Sequence, residues 1–358
     1  MRISFILPMF LESPAGGFKV VYEYANRLQQ RGHEVTVIHP RQIDSPPGLI
    51  DWLKRPLWAW RLRWRHRHQP VPWFPLDKQV RFRLVSDLRE RFIPAGDAII
   101  ATAFQTAGPV ASYVMEKGRG FYVIQSFEDW MGDSERVRAS WRLPLQKIVV
   151  SRWLERIAAE LGVEEETTLI SIGVDLTRFR IRRPHGDERP PRIGMLAHPL
   201  PIKGTADGLA ALELVRREIP EIEAVLFGTE ARSAKIPDWI EYRHRPAAEE
   251  LVEIYNSCRI FLHPSRLEGW GLPAAEAMAC GCAVVAAHNE GIDEFAVNGV
   301  NALLAPIGNP PELAQRIVRL LTDQELCAKI ANNGVEQIQR FDWERSVDRL
   351  EALLGQAL

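Results

Sequence analysis

The sequence predicts an α/β protein built from two Rossmann-like, doubly wound domains with parallel sheets. Three observations predict it. Short apolar runs alternate with helix-periodic segments in both halves of the chain. The chain opens on a strand, a Gly-rich loop, a helix and a second strand, which is a doubly wound beginning. The stretch 180–191, rich in Arg, Pro and charge, reads as a linker between two βα-rich halves. A length of 358 residues suits two domains with substantial cores. The predicted divisions are 1–182, 190–340 and a terminal helix over 341–358 that crosses back to the first domain.

Taken in order, residues 3–7 form an apolar run suited to a buried parallel strand. Ser13-Pro14-Ala15-Gly16-Gly17 is a loop, and Val20, Val21, Tyr24, Ala25 and Leu28 then mark a helix. Residues 34–39 are the second strand. The unit lacks G-x-G-x-x-G, which disfavours a dinucleotide-binding oxidoreductase. Residues 98–101, 121–125, 148–150 and 169–172 read as strands, and Ser151 as the N-cap of a helix reaching Leu161. In the second half, 192–197, 223–227, 260–263, 283–287 and 302–305 are predicted strands. Helices are expected up to Leu214 after Lys203-Gly204, and over 249–256, 313–321, 324–334 and 343–354. A ligand is expected in a cleft between the two domains, at the carboxyl ends of the strands.

Composition narrows the class. Hydrophobic residues at 46% and charged residues at 25% are those of an ordinary globular protein. A net charge of −1 gives no global field for nucleic acid, and no nucleic-acid partner is expected. Cys258, Cys280, Cys282 and Cys327 lack C-x-x-C spacing and read as reduced, mostly buried thiols. No apolar run approaches the ~18 residues of a membrane span. The run 3–11 is short and broken by Pro8, so a signal peptide is disfavoured and a cytoplasmic location is expected. Residues 51–74 are unusual: Trp52, Trp58, Trp60, Trp64 and Trp73 interleave with Lys54, Arg55, Arg61, Arg63, Arg65 and Arg67. Such a segment suits packing against the first domain or peripheral contact with the inner face of a membrane.

The most informative stretch is 263–285, reading HPSRLEGWGLPAAEAMACGCAVV. Pro273 sits where a helix begins and Gly281 where one ends. Gly269 and Gly271 let the backbone approach a ligand, with free amides and the positive end of a helix dipole behind them. Glu268 in the loop and Glu276 in the expected first turn flank that anion seat with two hydrogen-bond acceptors. A phosphate joined to a hydroxyl-rich group, such as a nucleotide sugar, fits.

The order of HPS, E-G-x-G-L-P, E-A-M-A-x-G and V-V in this stretch resembles the E-x7-E region of the retaining glycosyltransferases of family 4. That family has the GT-B fold, two Rossmann-like domains facing a central cleft. The resemblance implies that Glu268 contacts the transferred sugar. It implies that the amides of Gly269, Trp270, Gly271 and Leu272 hold sugar and phosphate, and that Glu276 binds the ribose. His198-Pro-Leu-Pro-Ile-Lys203-Gly204 is similar to the family's R-x4-K-G loop. Lys203 keeps the cation that stabilises the leaving diphosphate, whereas His198 replaces the Arg and is cationic only when protonated. Gly16 and Gly17 inherit a role over the donor phosphates; read alone, they make a tight turn.

Glu290-Gly291-Ile292-Asp293-Glu294 is similar to the family's G-G-x-x-E turn, where Glu294 orients the sugar or caps a helix. The family's usual His after an N-domain strand is absent. Gln125-Ser126-Phe127-Glu128 looks instead like a subset that includes rhamnan-type polysaccharide rhamnosyltransferases. There Gln125, Ser126, Glu128 and Asp129 are candidates to touch sugar or acceptor, with Glu128 as acceptor base or as part of a solvated acidic turn.

The resemblance implies a retaining, hexosyl-type transferase using a nucleotide diphosphate sugar and a glycan or lipid-linked hydroxyl acceptor. The chain contains no D-x-D pair, so no metal and no other cofactor are expected. A nucleotide-sugar epimerase of the same fold and a non-catalytic sugar-nucleotide or glycan-binding protein are the alternatives.

Overall fold

The computed structural model describes residues 1–41, 43, 69–183 and 189–356. The chain divides into two compact units, Met1–Ser171 with Ser346–Leu358, and Ile172–Arg345.

Unit 1 holds a seven-stranded parallel sheet. Its strands are β1 (Arg2–Ile6), β2 (Glu34–Pro40), β3 (Arg81–Val85), β4 (Ala98–Ala101), β5 (Arg119–Ile124), β6 (Gln146–Val149) and β7 (Thr167–Leu169), in the order β3-β2-β1-β4-β5-β6-β7. Phe5 of β1 pairs in register with Val37 on one side and Ile100 on the other, and all three are buried. Burial on both faces is why the central strands read as unbroken apolar runs. Between them lie α1 (Gly16–Gln30), α2 (Phe104–Ser112), α3 (Ser134–Trp141) and α4 (Arg152–Glu160).

Unit 2 repeats the plan with six parallel strands in the order β10-β9-β8-β11-β12-β13. These are β8 (Arg192–Leu196), β9 (Glu223–Gly228), β10 (Glu241–His244), β11 (Ile260–His263), β12 (Ala283–Ala287) and β13 (Leu303–Ala305). The helices are α5 (Thr205–Glu218), α6 (Ala248–Ser257), α7 (Leu272–Ala279), α8 (Pro310–Thr322), α9 (Gln324–Ile338) and α10 (Trp343–Gln356), the last passing from unit 2 into unit 1. In α7 every residue from Ala274 to Ala279 is buried, which explains its run of small apolar residues.

Several predicted elements shift. The strand expected over 169–172 is β7, which ends at Leu169. The strands β3 and β10 were not predicted. Both are sheet edges, and their sequences RFRLV and EYRH mix charge with apolar residues as edges do. The terminal helix expected to cross back to the first domain opens at Trp343, which still lies in unit 2 with its backbone against Gly173. Leu350 and Leu354 are buried and belong to unit 1. There Ser346 Oγ donates to the Ser171 carbonyl at 2.7 Å, and Arg31 pairs with Asp348 and Glu351.

The four cysteines are buried thiols outside any disulfide. Arg189, itself buried, donates to the carbonyls of Tyr255, Cys258 and Cys280 at 3.2, 2.9 and 2.7 Å, anchoring the entry to β8. Residues 51–68, including Trp52, Trp58, Trp60 and Trp64, lie outside the described residues. Trp73 is described, and its indole donates to the Leu11 carbonyl at 3.0 Å and packs against Tyr22 and Phe74. Among the described residues no helix is long and apolar enough to cross a membrane.

Candidate functional site

In an open doubly wound sheet, ligands gather outside the carboxyl ends of the strands where the strand order reverses. In unit 2 that point lies between β8 and β11. The loop after β8 carries His198 and Lys203; the loop after β11 carries Glu268 to Gly271. Parallel pairing of β8 with β11 therefore brings two sequence-distant motifs together.

Lys203 ends a 3-10 turn, Pro201–Lys203, and its Nζ donates to Glu268 Oε1 at 2.8 Å. Burial alone would raise the Glu268 carboxyl. The Lys203 ammonium, His263 and hydrogen bonds outweigh burial and hold it below the ordinary value. Glu268 is thus ionised and acceptor-only near neutral pH.

Three residues on, Gly271 adopts φ +102°, a left-handed conformation that suits glycine, and α7 starts at the next residue. The amides of Trp270, Gly271 and Leu272 donate to no acceptor among the described residues. They sit at the positive end of the α7 dipole, an arrangement that suits an anion. The Trp270 side chain takes no part: it is buried against Phe295 and Phe341, with centroids 4.9 and 5.5 Å away. Only its backbone is placed for the predicted contact.

Glu276 is the fifth residue of α7, not in its first turn as expected, because the helix begins at Leu272 and Pro273 is its second residue. Its carboxylate is buried, 4% exposed, and accepts from the Tyr255 hydroxyl at 3.2 Å. His198 is no substitute for an arginine. Its pKa is lowered, first by burial and then by the Lys203 charge, so the ring is neutral near pH 7. His198 Nδ1 accepts from the Leu200 amide at 3.1 Å, so this residue shapes the loop.

The turn after β12 packs against the backbone of Glu268. A Cβ on Gly291 would lie 2.4 Å from the Glu268 carbonyl oxygen, so no side chain fits there. Asn289 joins the two loops: its Nδ2 donates to the Ser265 carbonyl at 2.9 Å, and its Oδ1 accepts from the Ile292 amide. Glu294 is buried in the turn Ile292–Glu294, whereas Glu290 is exposed. Sequence reasoning missed Asn289 and Ser265, which join the two loops, and His263, which lies behind Glu268. The HPS tripeptide at the end of an apolar run was the one signal for two of them. A separate cavity of about 570 Å³, lined by His288, Asp293, Val297 and Ile307 among others, contains none of the predicted site residues.

In unit 1 the strand order reverses between β1 and β4. Gly16 and Gly17 open α1 after β1, and Gln125 follows β5. Gln125 Nε2 donates to the Gly17 carbonyl at 3.0 Å, joining two predicted residues. Glu128 is half-buried and accepts from the Phe104 amide at 3.0 Å, at the start of α2. Burial drives its pKa up to about 7, with the Phe104 amide pulling the other way. A carboxyl poised there can take or give a proton near neutral pH. Among the described residues no group of three or more His, Cys, Asp or Glu could hold a metal ion.

Comparison with known proteins bears on the fold. Residues 14–178 match the domain model described as Glycosyltransferase Family 4, and residues 177–337 the model described as Glycosyl transferases group 1. With the two parallel-sheet units, these abutting matches define the GT-B fold, one domain model falling on each half of the chain. Among curated relatives, an uncharacterized glycosyltransferase of Methanocaldococcus jannaschii is 36% identical over 108 residues, 30% of this chain and 31% of its own. The D-inositol 3-phosphate glycosyltransferase of Nocardiopsis dassonvillei is 31% identical over 120 residues, 34% of this chain and 28% of its own. The chain thus spans about a third or less of the length of these curated relatives. Among solved structures, Anabaena HepE in complex with UDP-glucose aligns with a TM-score of 0.76 at 18% identity, covering 99% of this chain and 100% of that one. Sucrose-phosphate synthase from Thermosynechococcus elongatus aligns with a TM-score of 0.72 at 18% identity, covering 99% and 98%. These likenesses show the fold.

Proposed function

We propose that the chain is a retaining glycosyltransferase of hexosyl type. It moves a sugar from a nucleotide diphosphate sugar to a hydroxyl acceptor in polysaccharide or glycoconjugate synthesis. One observation carries the reading: the Lys203–Glu268 pair at 2.8 Å stands beside the amides that open α7, at the switch point of unit 2. Cation and amides suit the diphosphate and the charge that develops on it as the sugar–phosphate bond breaks. Glu268 suits a sugar hydroxyl and Glu276 the ribose. HepE, which shares the fold, is solved with UDP-glucose, and curated relatives are named glycosyltransferases.

In this reading the departing phosphate accepts the acceptor's proton on the face it leaves, which gives retention. Lys203 and the helix amides supply the positive charge, so turnover needs no metal and persists in EDTA. The acceptor is a glycan or a lipid-linked glycan. Contact with the inner face of a membrane runs through 51–74; replacing Trp58, Trp60 and Trp64 by Ala then abolishes flotation with anionic liposomes.

Thermal shift against a panel of nucleotide sugars, rhamnose donors included, tests the reading. A ligand that binds only the native state raises the melting temperature. At least one donor is expected to do so, and its glycoside product to keep the donor's anomeric configuration by NMR. A panel without a hit rejects the reading, and an inverted product rejects retention.

A further inference from the structure

One buried nitrogen in unit 2 is left over by everything described above. His263, the last residue of β11, is 3% exposed, and its Nε2 has no hydrogen-bond partner. Buried polar atoms without partners are uncommon and call for a reason. This one lies 3.6 Å from Glu268 Oε1, the same oxygen that accepts from Lys203. The ring lies parallel to Phe261 within 25°, and a Cβ on Gly271 would sit 3.9 Å from Nε2, so the nitrogen also faces the start of α7.

We infer that His263 is a positioning residue for Glu268: its Nε2–H is the second donor, taking the carboxylate when Lys203 turns to an anionic ligand. The inference rests on the proposed function only in naming that ligand as a diphosphate. As Lys203 Nζ moves towards a phosphate seated at the α7 amides, its 2.8 Å contact with Glu268 lengthens and weakens. Once Lys203 leaves, burial would drive Glu268 towards its protonated form, and the site would lose an acceptor. A donor a few tenths of an ångström out of reach prevents this. Hydrogen-bond distance requires closing from 3.6 Å to about 3.0 Å. The ring is suited to the task because burial, the dominant influence, lowers its pKa to about 4. It is a neutral donor near pH 7, and it adds no second cation to compete with Lys203 for phosphate.

The crystal structure of Lys203→Met, without ligand, tests the hand-over directly, since that variant imitates the departure of the lysine. His263 Nε2 and Glu268 Oε1 are expected at about 2.8–3.0 Å. A gap that stays at 3.6 Å or widens overturns the inference. A second arm uses UDP, which HepE is solved with, and the donor found in the nucleotide-sugar panel. His263→Leu is expected to leave UDP affinity within about twofold and lower kcat by about 10- to 100-fold, the scale of a misplaced group. His263→Gln, which sets an amide N–H near the position of Nε2, is expected to restore most of that loss. Equal loss of affinity and kcat, or a Gln variant no better than Leu, overturns it. If the unaltered protein neither binds nucleotides nor transfers sugar, the functional reading fails, and the Lys203→Met structure still decides the hand-over.

Discussion

Lys203 Nζ and Glu268 Oε1 meet at 2.8 Å across 65 residues of sequence, with side chains 25% and 10% exposed. At that depth opposite charges attract more strongly than at the surface, and each is costly to leave alone. The pair therefore sets the protonation of Glu268 as well as its position.

A double-mutant cycle measures the coupling. Lys203→Met and Glu268→Gln are each expected to lose about 1–3 kcal/mol in urea unfolding, because each removes one side of a charge-assisted hydrogen bond. The double variant should lose less than the sum, with a coupling of about 1–3 kcal/mol. The Glu268 pKa is depressed, so this stabilisation is present above the ordinary carboxylate value and is lost as pH falls through the lower, folded one. Lys203→Met should flatten that acid limb. Strict additivity would mean the contact contributes nothing.

Glu128 should show the opposite sign. Its folded pKa is raised from 4.5 to about 7, so the native state binds the extra proton between those values. Stability is then highest below pH 4.5 and declines as pH rises towards 7, by about 1–3 kcal/mol. Glu128→Gln keeps an oxygen for the Phe104 amide and should remove the decline. Parallel pH–stability curves for the two proteins would show that the carboxyl is not perturbed.

Gly16→Ala separates a ligand role from a turn role. A Cβ at Gly16 meets nothing within 4 Å, and Gly16 is not among the glycines with positive φ. The substitution should leave stability unchanged or raise it by about 0.4–1 kcal/mol. A fall in nucleotide affinity by calorimetry would then report close approach of a ligand; unchanged affinity would remove Gly16 from the site.

Gly291→Ala should do the reverse. Its Cβ would collide with the Glu268 carbonyl at 2.4 Å, so the loop must move. A cost of about 1–3 kcal/mol is expected, as for overpacking elsewhere, and turnover should fall with it. Wild-type melting and turnover in this variant would mean the two loops are free to slide.

The central architecture was legible because strands buried on both faces leave continuous apolar runs, as in β1, β11 and β12. The edges β3 and β10 were not, since a half-covered strand carries charges and looks like loop. Within the site, E-x7-E was readable as spacing. The Lys203–Glu268 contact was not, because the β8–β11 neighbourhood that creates it is a property of strand order. The misplacement of Glu276 has a local cause: left-handed Gly271 lets α7 begin one residue ahead of Pro273.

The discontinuity of unit 1 bears on how the chain is made. Val347, Leu350 and Leu354, all buried, are its final apolar contribution, and Ser346 ties them to Ser171. A ribosome emitting the polypeptide from its amino end releases the seven-stranded sheet first and this covering last. Domains that emerge early usually fold early. Here the first module gains this covering only after the second has been synthesised.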